Sequence, residues 1–384
     1  MDVFLADPYL VNGSGHCFPY LDSLRRQLAD TGVTSTILGN RAASSTFLKA
    51  ANVEGVFSSS LRGQWWAMPL IGARLAENLS GISKDYALNA DSVLIINSLW
   101  SFHLTGVARW LDALPAERRP GVALILHFSA RRGSPRNIRE AEASYRAGFR
   151  SLADHVRANR VRIFADTSEL VEEFSAFTDL PIGLVPVPPT FTPEPRQLKA
   201  AGAPIRIVFA GEARAEKGFN WLPAVFSAFE AKTVRPFEFI VQTFAPKHET
   251  ADFRAVRADL QRLGASLIEH PLPLEEYARS MMAADIVLTP YLAPHYRVQS
   301  SGVFVDALIS GCVTIAPVGT WMGNQIAASG GGRTFKPEDI DDFVAAVEIA
   351  LDRFDELSGA AIQNTNAARA FYNTETLARQ LLGH

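Results

Sequence analysis

The sequence has few cysteines and almost no imbalance of charge. Its 384 residues include only Cys17 and Cys312, which lie in different halves of the chain. Two distant cysteines do not make the disulfide framework of a small secreted domain, and they suit a reducing compartment. The formal net charge is −3, so the overall charge gives no reason to expect nucleic-acid binding.

Long apolar runs and a basic leader are also missing. No apolar stretch reaches the roughly 18 residues that a membrane-spanning helix requires. The chain begins Met1-Asp2-Val3, without a basic segment before its first apolar run, so we expect no signal peptide. These features predict a cytoplasmic protein, and they leave attachment to the inner face of a membrane open.

Metal-ligand clusters are absent from the pattern as well. The sequence has no group of histidines and cysteines at the spacing of metal ligands, so we predict no metal and no cofactor. The loop at residues 12–16 follows the first predicted strand and contains Gly13-Ser14-Gly15. It lacks the third glycine of G-x-G-x-x-G, which makes it a weak nucleotide fingerprint.

What the chain does contain is a repeated order of short strands and helices. Its length is natural for two domains rather than for one core. Short apolar runs end at Gly, Pro or polar loops and lead into helical periodicity, which is typical of parallel strands joined by crossover helices. A segment rich in Pro and Ala at 188–204 has the composition of a linker between the two halves.

Two stretches of the second half carry most of the candidate chemistry. The first runs from Ile205 to Phe219 and contains Gly211 and Lys217. The second runs from Ala284 to Pro317. Each stretch reads as a strand that feeds a loop and then a helix, and ligands of open parallel sheets bind outside the carboxyl ends of the strands. We therefore expect the two stretches to meet at one ligand site.

These stretches resemble the motifs of the retaining GT-B glycosyltransferases of family 4. That family carries G-R-L-x-x-E-K-G, similar to residues 211–218 here, and E-G-F-G-L-x-x-L-E-A-x-A-x-G-x-P-V-I, similar to residues 298–315. The resemblance covers nearly the whole chain. It implies an α/β GT-B fold, with two Rossmann-like domains whose parallel sheets face across a cleft.

The same resemblance implies a division of labour between the domains. Residues 1–195 would form an acceptor domain, completed by a C-terminal helix at 367–384 that crosses back onto it. Residues 196–366 would form the domain that binds the nucleotide-sugar donor.

The resemblance also implies the activity. The chain would move a sugar from a nucleotide-diphosphate sugar to an acceptor hydroxyl, as a retaining, metal-independent, hexosyltransferase-like enzyme of cell-surface glycan assembly. Its partners would be the donor and a glycan, lipid-linked or other hydroxyl acceptor. A second hypothesis is a catalytically degenerate GT-B protein that binds a nucleotide sugar or an assembly partner. The signatures of GT-B-shaped epimerases and phosphorylases are not evident.

The donor site is expected to rest on fixed positive charge. In the family, the lysine that corresponds to Lys217 binds the donor diphosphate together with the arginine of G-R-L. This sequence has Glu212 in the place of that arginine, and Arg214, two residues on, is our candidate for the missing cation. Gly211 belongs to the same loop and is a further candidate for donor contact.

The second stretch supplies the other candidate donor contacts. Ser301-Gly302-Val303 opens a helix, whose amide groups and dipole suit an anion. Asp306 corresponds to the family glutamate that accepts both ribose hydroxyls. Val298 replaces the glutamate that normally touches the donor sugar, and Arg297 beside it is a candidate for contact with the phosphate or an acidic sugar.

The first half offers fewer candidates. His127 follows a buried strand, where polar side chains line the ligand crevice, and the family often has an active-site histidine there. We assign it a catalytic role. The loop with Gly13, Gly15 and His16 is either a tight turn or, by resemblance, part of the acceptor cleft. The arginine-rich segment from Arg131 to Arg162 is either a solvated helix or a patch for an anionic acceptor or membrane surface.

Overall fold

A computed structural model of the chain describes residues 1–13, 17–58, 68–200, 202–230, 236–245 and 249–383. It divides into two compact units: unit 1 comprises residues 1–188 and 373–384, and unit 2 comprises residues 189–372. The boundaries expected from the sequence, 195/196 and 366/367, lie within seven residues of these.

Unit 1 is built on a sheet of seven parallel strands. The strands are β1 (Val3–Ala6), β2 (Ser35–Asn40), β3 (Val53–Phe57), β4 (Val93–Ile96), β5 (Gly121–Leu126), β6 (Val161–Ala165) and β7 (Ile182–Leu184). Their order in space is β3-β2-β1-β4-β5-β6-β7. The register pairs Val3 with Ser35 on one side and with Val93 on the other. The order of strands therefore reverses between β1 and β4.

Helices connect these strands and close the core. They are α1 (Cys17–Asp30), α2 (Ser45–Ala51), α3 (Met68–Asp85), α4 (Ser101–Ala113), α5 (Pro135–Arg157) and α6 (Ser168–Ser175). Apolar side chains of α1, such as Leu21 and Leu24, join those of the central strands in one buried cluster. Continuous burial of the strands explains why they read as uninterrupted apolar runs in the sequence.

Unit 2 repeats this plan with six parallel strands. The strands are β8 (Ile205–Phe209), β9 (Phe237–Gln242), β10 (Ser266–Ile268), β11 (Ile286–Leu288), β12 (Val313–Pro317) and β13 (Gly332–Phe335). Their order is β10-β9-β8-β11-β12-β13, so it reverses between β8 and β11. Its helices are α7 (Leu222–Glu230), α8 (Ala251–Arg262), α9 (Leu274–Ala283), α10 (Ala293–Tyr296), α11 (Gly302–Ile309), α12 (Trp321–Ser329), α13 (Ile340–Asp352) and α14 (Phe354–Phe371).

Two Rossmann-like α/β units with wholly parallel sheets confirm the predicted fold class. Reversals of strand order matter for function, because the crevice outside the carboxyl ends of the strands at such a point is where open α/β sheets bind ligands. The loops after β1 and β4 meet this condition in unit 1, and the loops after β8 and β11 meet it in unit 2.

The C-terminal helix differs from its prediction. Instead of one helix over residues 367–384, the chain forms α14, which ends at Phe371, and a separate helix α15 (Thr374–Leu382). Asn373 interrupts the helix because its backbone is extended and its side chain accepts a hydrogen bond from the backbone N–H of Thr376, as in an N-cap. Only α15 belongs to unit 1.

Within the part of the chain that the structure describes, none of the helices is both long enough and apolar enough to cross a bilayer.

The contribution of α15 to unit 1 can be tested by removing one buried side chain. Leu377 is fully buried and belongs to the same apolar cluster as Leu21 of α1. We expect Leu377→Ala to lower the free energy of unfolding by about 2–5 kcal/mol, because it removes buried methyl groups and leaves a cavity. Urea denaturation followed by circular dichroism measures this change.

The half-buried Leu382, on the same helix, is the control, and Leu382→Ala should cost less. Equal costs for the two variants would contradict the packing described here.

Candidate functional site

The loop after β8 has a backbone that requires glycine at both ends. Gly211 has φ +90° and Gly218 has φ +73°, in the left-handed region that other residues rarely adopt. A Cβ atom on Gly218 would lie 2.3 Å from the backbone oxygen of Pro290, which follows β11. The close approach of these two loops at the reversal of strand order therefore depends on the absence of a side chain at position 218.

Three of the predicted donor-binding residues converge at this point. A Cβ atom built on Gly211 would lie 3.1 Å from Nζ of Lys217 and 3.3 Å from Cγ2 of Val303. The backbone N–H of Gly211 donates to Oε1 of Gln242, at the end of β9, over 2.7 Å. Residues from the loop after β8 and from the start of α11 are thus brought to one place, as the sequence predicted.

Lys217 has an unusual electrostatic environment. Its ammonium group lies 5.4 Å from the centroid of the buried Tyr291 ring, within cation–π range. Among the residues that the structure describes, it makes no ion pair and no side-chain hydrogen bond. Burial, followed by the charge of Arg214, lowers the pKa of Lys217 from its ordinary value of 10.5 to about 8, against the opposing effect of Glu212 and Glu216. A cation held in this way is available to an anionic ligand.

Arg214 lies in the same loop but is already engaged. Its Nη1 atom lies 3.1 Å from Oε1 of Glu216, and its Nη2 atom donates to Oη of Tyr296 over 3.4 Å. Its Nε atom is buried and has no hydrogen-bond acceptor among the described residues. The sequence-predicted cation therefore lies beside Lys217 in the loop, paired with a carboxylate that sequence reasoning did not single out.

The start of α11 has an exposed opening. Ser301 caps this helix, because its hydroxyl accepts a hydrogen bond from the N–H of Phe304 over 3.3 Å. A Cβ atom on Gly302 would meet no atom within 4 Å. Arg297, just before this segment, is exposed, whereas Val298 is buried. The helix start is thus open to a ligand, whereas the side chain of Val298 is apolar and buried.

Asp306 is an internal hydrogen-bond acceptor in this structure. Its side chain is 1% exposed, Oδ1 accepts from the N–H of Thr190, and Oδ2 accepts from Oη of Tyr277, each over 2.9 Å. Burial raises its pKa to about 6 although both hydrogen bonds oppose the shift. Contact of this carboxylate with a ribose stays a prediction, and in the arrangement described here a ribose hydroxyl would have to replace the Tyr277 phenol.

Unit 1 has a polar network along the carboxyl ends of four neighbouring strands. Asp7, after β1, accepts hydrogen bonds from Nδ2 of Asn97 over 3.0 Å and from Oγ of Ser98 over 2.8 Å, both after β4. His127, after β5, joins Oδ1 of Asn97 to Oδ2 of Asp166, which follows β6, over 2.5 and 2.8 Å. The predicted site residue His127 therefore lies in the middle of a continuous buried chain.

The orientation of Asn97 constrains the His127 ring. The Asp7 carboxylate can only accept, so the amide nitrogen of Asn97 faces Asp7 and its oxygen faces His127. Both ring nitrogens of His127 therefore lie within hydrogen-bond distance of an oxygen atom, Oδ1 of Asn97 on one side and Oδ2 of Asp166 on the other, and the two contacts fix the orientation of the ring.

The remaining acceptor-side predictions are only partly placed. Gly13 is exposed, and a Cβ atom there would lie 3.3 Å from the Phe47 ring. Gly15 and His16 lie outside the described residues.

Several residues of these two networks were missed by sequence reasoning. They are Asp7, Asn97, Ser98 and Asp166 in unit 1, and Gln242, Glu216, Tyr277 and Tyr291 in unit 2. Asp7, Asn97, Asp166 and Gln242 could have been found, because each stands at or just after the end of a predicted buried strand. Tyr291 meets the same criterion, since it directly follows the predicted strand 286–290, whereas Tyr277 carried no such signal because it lies within α9.

Helix α5 makes up most of the arginine-rich segment from Arg131 to Arg162. Arg139, Arg146, Arg150 and Arg157 are exposed and are separated by seven, four and seven residues, which places them on one face of the helix. Arg162 instead donates through its guanidinium to the backbone oxygens of Gln380 and Leu381, at the end of α15. Four of the nine arginines in the predicted patch thus form one stripe on α5, and Arg162 is a structural contact.

Comparison with known proteins gives a clear result for the fold. No protein-family model and no curated protein sequence matches the chain. A glycosyltransferase from Rickettsia africae aligns over 100% of this chain and 97% of its own, with a TM-score of 0.69 and 12% identity. The sucrose-phosphate synthase of Thermosynechococcus elongatus aligns over 100% and 98%, with a TM-score of 0.68 and 14% identity.

The HepE protein of Anabaena, solved in complex with UDP, is similar to the same degree. It aligns over 100% of this chain and 99% of its own, with a TM-score of 0.70 and 15% identity. Identities of this size establish the architecture and not the activity. The chain therefore has the GT-B fold, in agreement with the resemblance of its motifs.

The environment of Lys217 predicts that this residue lowers the stability of the protein. Its pKa falls from 10.5 in the unfolded chain to about 8 in the folded one. Below pH 8 the lysine is charged in both states, and holding that charge in the folded state costs free energy of folding. We expect Lys217→Met to raise the free energy of unfolding at pH 7 by about 1–3 kcal/mol, because an apolar side chain of similar length replaces a half-buried charge. Urea denaturation at a series of pH values measures this gain.

The gain should shrink as the pH rises from 8 to 10.5, since the wild-type protein then releases the lysine proton before the unfolded chain does. Lys199→Met is the matched control, because Lys199 is ion-paired with the buried Asp285 and its removal should not stabilise the protein. A loss of stability in Lys217→Met at pH 7 would contradict this assignment.

Proposed function

We propose that the chain is a glycosyltransferase that uses a nucleoside-diphosphate sugar as donor. One observation carries this proposal: Gly211, Lys217 and Val303 converge at the point in unit 2 where the order of strands reverses. Such a point binds nucleotide ligands in open α/β sheets. The similarity to glycosyltransferase structures, one of them solved with UDP, supports the same reading.

The chemistry of the site fits a diphosphate leaving group. Negative charge builds up on the phosphate as the bond to the sugar breaks, and fixed positive groups aimed there lower the barrier. Lys217 supplies such a group, and Arg214 together with the amides at the start of α11 adds to it. A bound diphosphate would favour the charged form of Lys217 and offset the cost of burying it. We propose that these groups provide the stabilisation without a metal or cofactor.

We propose contacts to the other parts of the donor from residues that the sequence had already singled out. We propose that Asp306 holds the ribose after Tyr277 moves aside, and that the exposed Arg297 contacts a phosphate or an acidic sugar. We propose that His127 contacts the transferred sugar, and a sugar hydroxyl would then have to replace Asn97 as the partner of Nε2. Acceptor recognition is assigned to unit 1, with Gly13, Gly15 and His16 as candidates.

The biological setting follows from the resemblance. We propose retention of anomeric configuration, and a role in assembling a cell-surface glycan on a glycan, lipid-linked or other hydroxyl acceptor in the cytoplasm. A protein that binds the donor without turnover is the alternative, and it is favoured by Val298, whose buried side chain offers no contact to the sugar.

Donor binding tests the proposal. We expect one family among UDP-, GDP-, ADP-, TDP- and CMP-sugars to raise the melting temperature of the full chain, since a ligand at about 100 times its Kd adds roughly 2.7 kcal/mol to stability. Lys217→Ala should lose this shift, because it removes the central cation. Differential scanning fluorimetry provides the measurement, and isothermal titration calorimetry gives the Kd.

Asp306→Asn tests the ribose contact separately. Asparagine can still accept from the N–H of Thr190, and its amide can donate to Tyr277, so the fold should be retained. Weaker donor binding with unchanged stability would support the ribose role, and unchanged binding would refute it. If no nucleotide sugar binds the wild-type protein, the proposed function is wrong. If a donor binds but no acceptor is glycosylated, the non-catalytic alternative is favoured.

We further propose that the arginine stripe of α5, formed by Arg139, Arg146, Arg150 and Arg157, contacts an anionic membrane surface. The stripe is exposed, and Asp154 is the acidic residue paired with one of its members, Arg157, over 3.1 Å. Each basic residue close to an anionic bilayer contributes about 1 kcal/mol. Such contact would bring the enzyme to a lipid-linked acceptor.

Vesicle flotation tests this surface. We expect the protein to float with vesicles that contain phosphatidylglycerol and not with pure phosphatidylcholine, and Arg139→Gln/Arg150→Gln should reduce binding by about 30-fold, because two interfacial charges are lost. Arg254→Gln/Arg262→Gln on α8 is a control with the same change of charge. Equal flotation of both double variants and the wild type would rule out the stripe as the contact.

A further inference from the structure

The loop that carries the donor cations also carries two carboxylates. Glu212, Arg214, Glu216 and Lys217 lie within six residues of one another, so the formal charges of the loop cancel. Both carboxylates act on Lys217, whose pKa they raise against the larger effect of burial. An anionic ligand therefore meets a loop without net positive charge, although the site is proposed to bind a diphosphate.

Glu216 is the carboxylate that engages a cation directly. Its Oε1 atom lies 3.1 Å from Nη1 of Arg214, and each of the two side chains is 30% exposed. Arg214 is otherwise held by Tyr296 and has a buried Nε group without an acceptor in the described part of the chain. The Nε atom of this guanidinium could therefore still donate a hydrogen bond, whereas its Nη1 atom is engaged by Glu216.

The position of Glu216 is set by its backbone rather than by this ion pair. The backbone oxygen of Glu216 accepts a hydrogen bond from the N–H of Leu292 over 2.9 Å, which ties the loop after β8 to the loop after β11. The side chain is therefore dispensable for joining the two loops. A carboxylate and a phosphate present similar oxygens to a guanidinium, and both bind it through charge-assisted hydrogen bonds.

We propose that Glu216 limits the affinity of the donor site for phosphate, because its carboxylate competes with a donor phosphate for Arg214. This inference rests on the proposed function and adds to it. A phosphate that binds Nη1 of Arg214 must displace the Glu216 carboxylate, which weakens the binding of such an anion by the free energy of the ion pair. Affinity for the donor is in this way limited by a residue of the same loop that supplies the cations.

A double-mutant cycle on the full chain tests the competition. The probe is inorganic pyrophosphate, which needs no knowledge of the base or sugar, and the readout is the Kd from isothermal titration calorimetry. We expect Glu216→Gln to bind pyrophosphate about two- to fivefold more tightly than the wild type, the range expected for loss of a partly exposed ion pair. In the Arg214→Gln background the same substitution should give little or no gain, because the residue competed for is gone.

Glu238→Gln is the matched control. Glu238 also pairs with an arginine of unit 2, Arg206, over 2.9 Å, but on strands β9 and β8 and outside the candidate site. The substitution Glu238→Gln removes the same charge as Glu216→Gln and should leave the affinity for pyrophosphate unchanged. A thermal unfolding curve for each variant checks that the fold is intact.

The outcomes separate this inference from the proposed function. If the wild type binds pyrophosphate and Lys217→Met does not, the result supports the proposed anion site at Lys217. In that case an unchanged or weaker affinity of Glu216→Gln, or an equal gain with and without Arg214, overturns the competition alone. If neither the wild type nor Glu216→Gln binds pyrophosphate, both the anion site and the competition are wrong.

Discussion

All strands of both sheets run parallel, and this constraint organises the rest of the molecule. Parallel strands end along the same edge, so the residues that follow them are collected there whatever their separation in sequence. In unit 1 this edge holds the chain from Asp7 to Asp166 across four neighbouring strands. In unit 2 it brings the loop of Lys217 against the loop after β11. Both networks lie at or beside the reversal of strand order.

The charged groups at the two sheet edges are compensated in different ways. In unit 1, His127 and Asn97 lie between carboxylates and connect them, and the buried polar groups stabilise one another. In unit 2, Lys217 is held near an aromatic ring without an ion pair among the described residues, which burial makes unfavourable. A half-buried charge of this kind is typical of ligand sites, where activity and stability often conflict.

The geometry of the loop at residues 211–218 explains how it can lack the arginine of the motif that it resembles. The family arginine is replaced by Glu212, but a 3₁₀ turn at Ala215–Lys217 follows Arg214 and places both cations in one short segment between two glycines. Arg214 reaches Glu216 and Tyr296 from this position. The loop thus holds two cations and two carboxylates. Glu212 is the added carboxylate, since the motif already has a glutamate at the position of Glu216, and the proposed competition for Arg214 involves Glu216.

The sequence by itself determined the two-unit parallel architecture and the loop that carries Lys217 between two glycines. Buried parallel strands read as apolar runs, and Gly211, Lys217 and Gly218 stand at motif spacing, so both followed from local patterns. Tertiary structure alone decided which partners these residues meet. Tyr277 and Thr190 reach Asp306 from distant segments, and the break of the last helix depends on the cap at Asn373. Such contacts arise from packing between elements far apart in the chain, which periodicity and spacing do not encode.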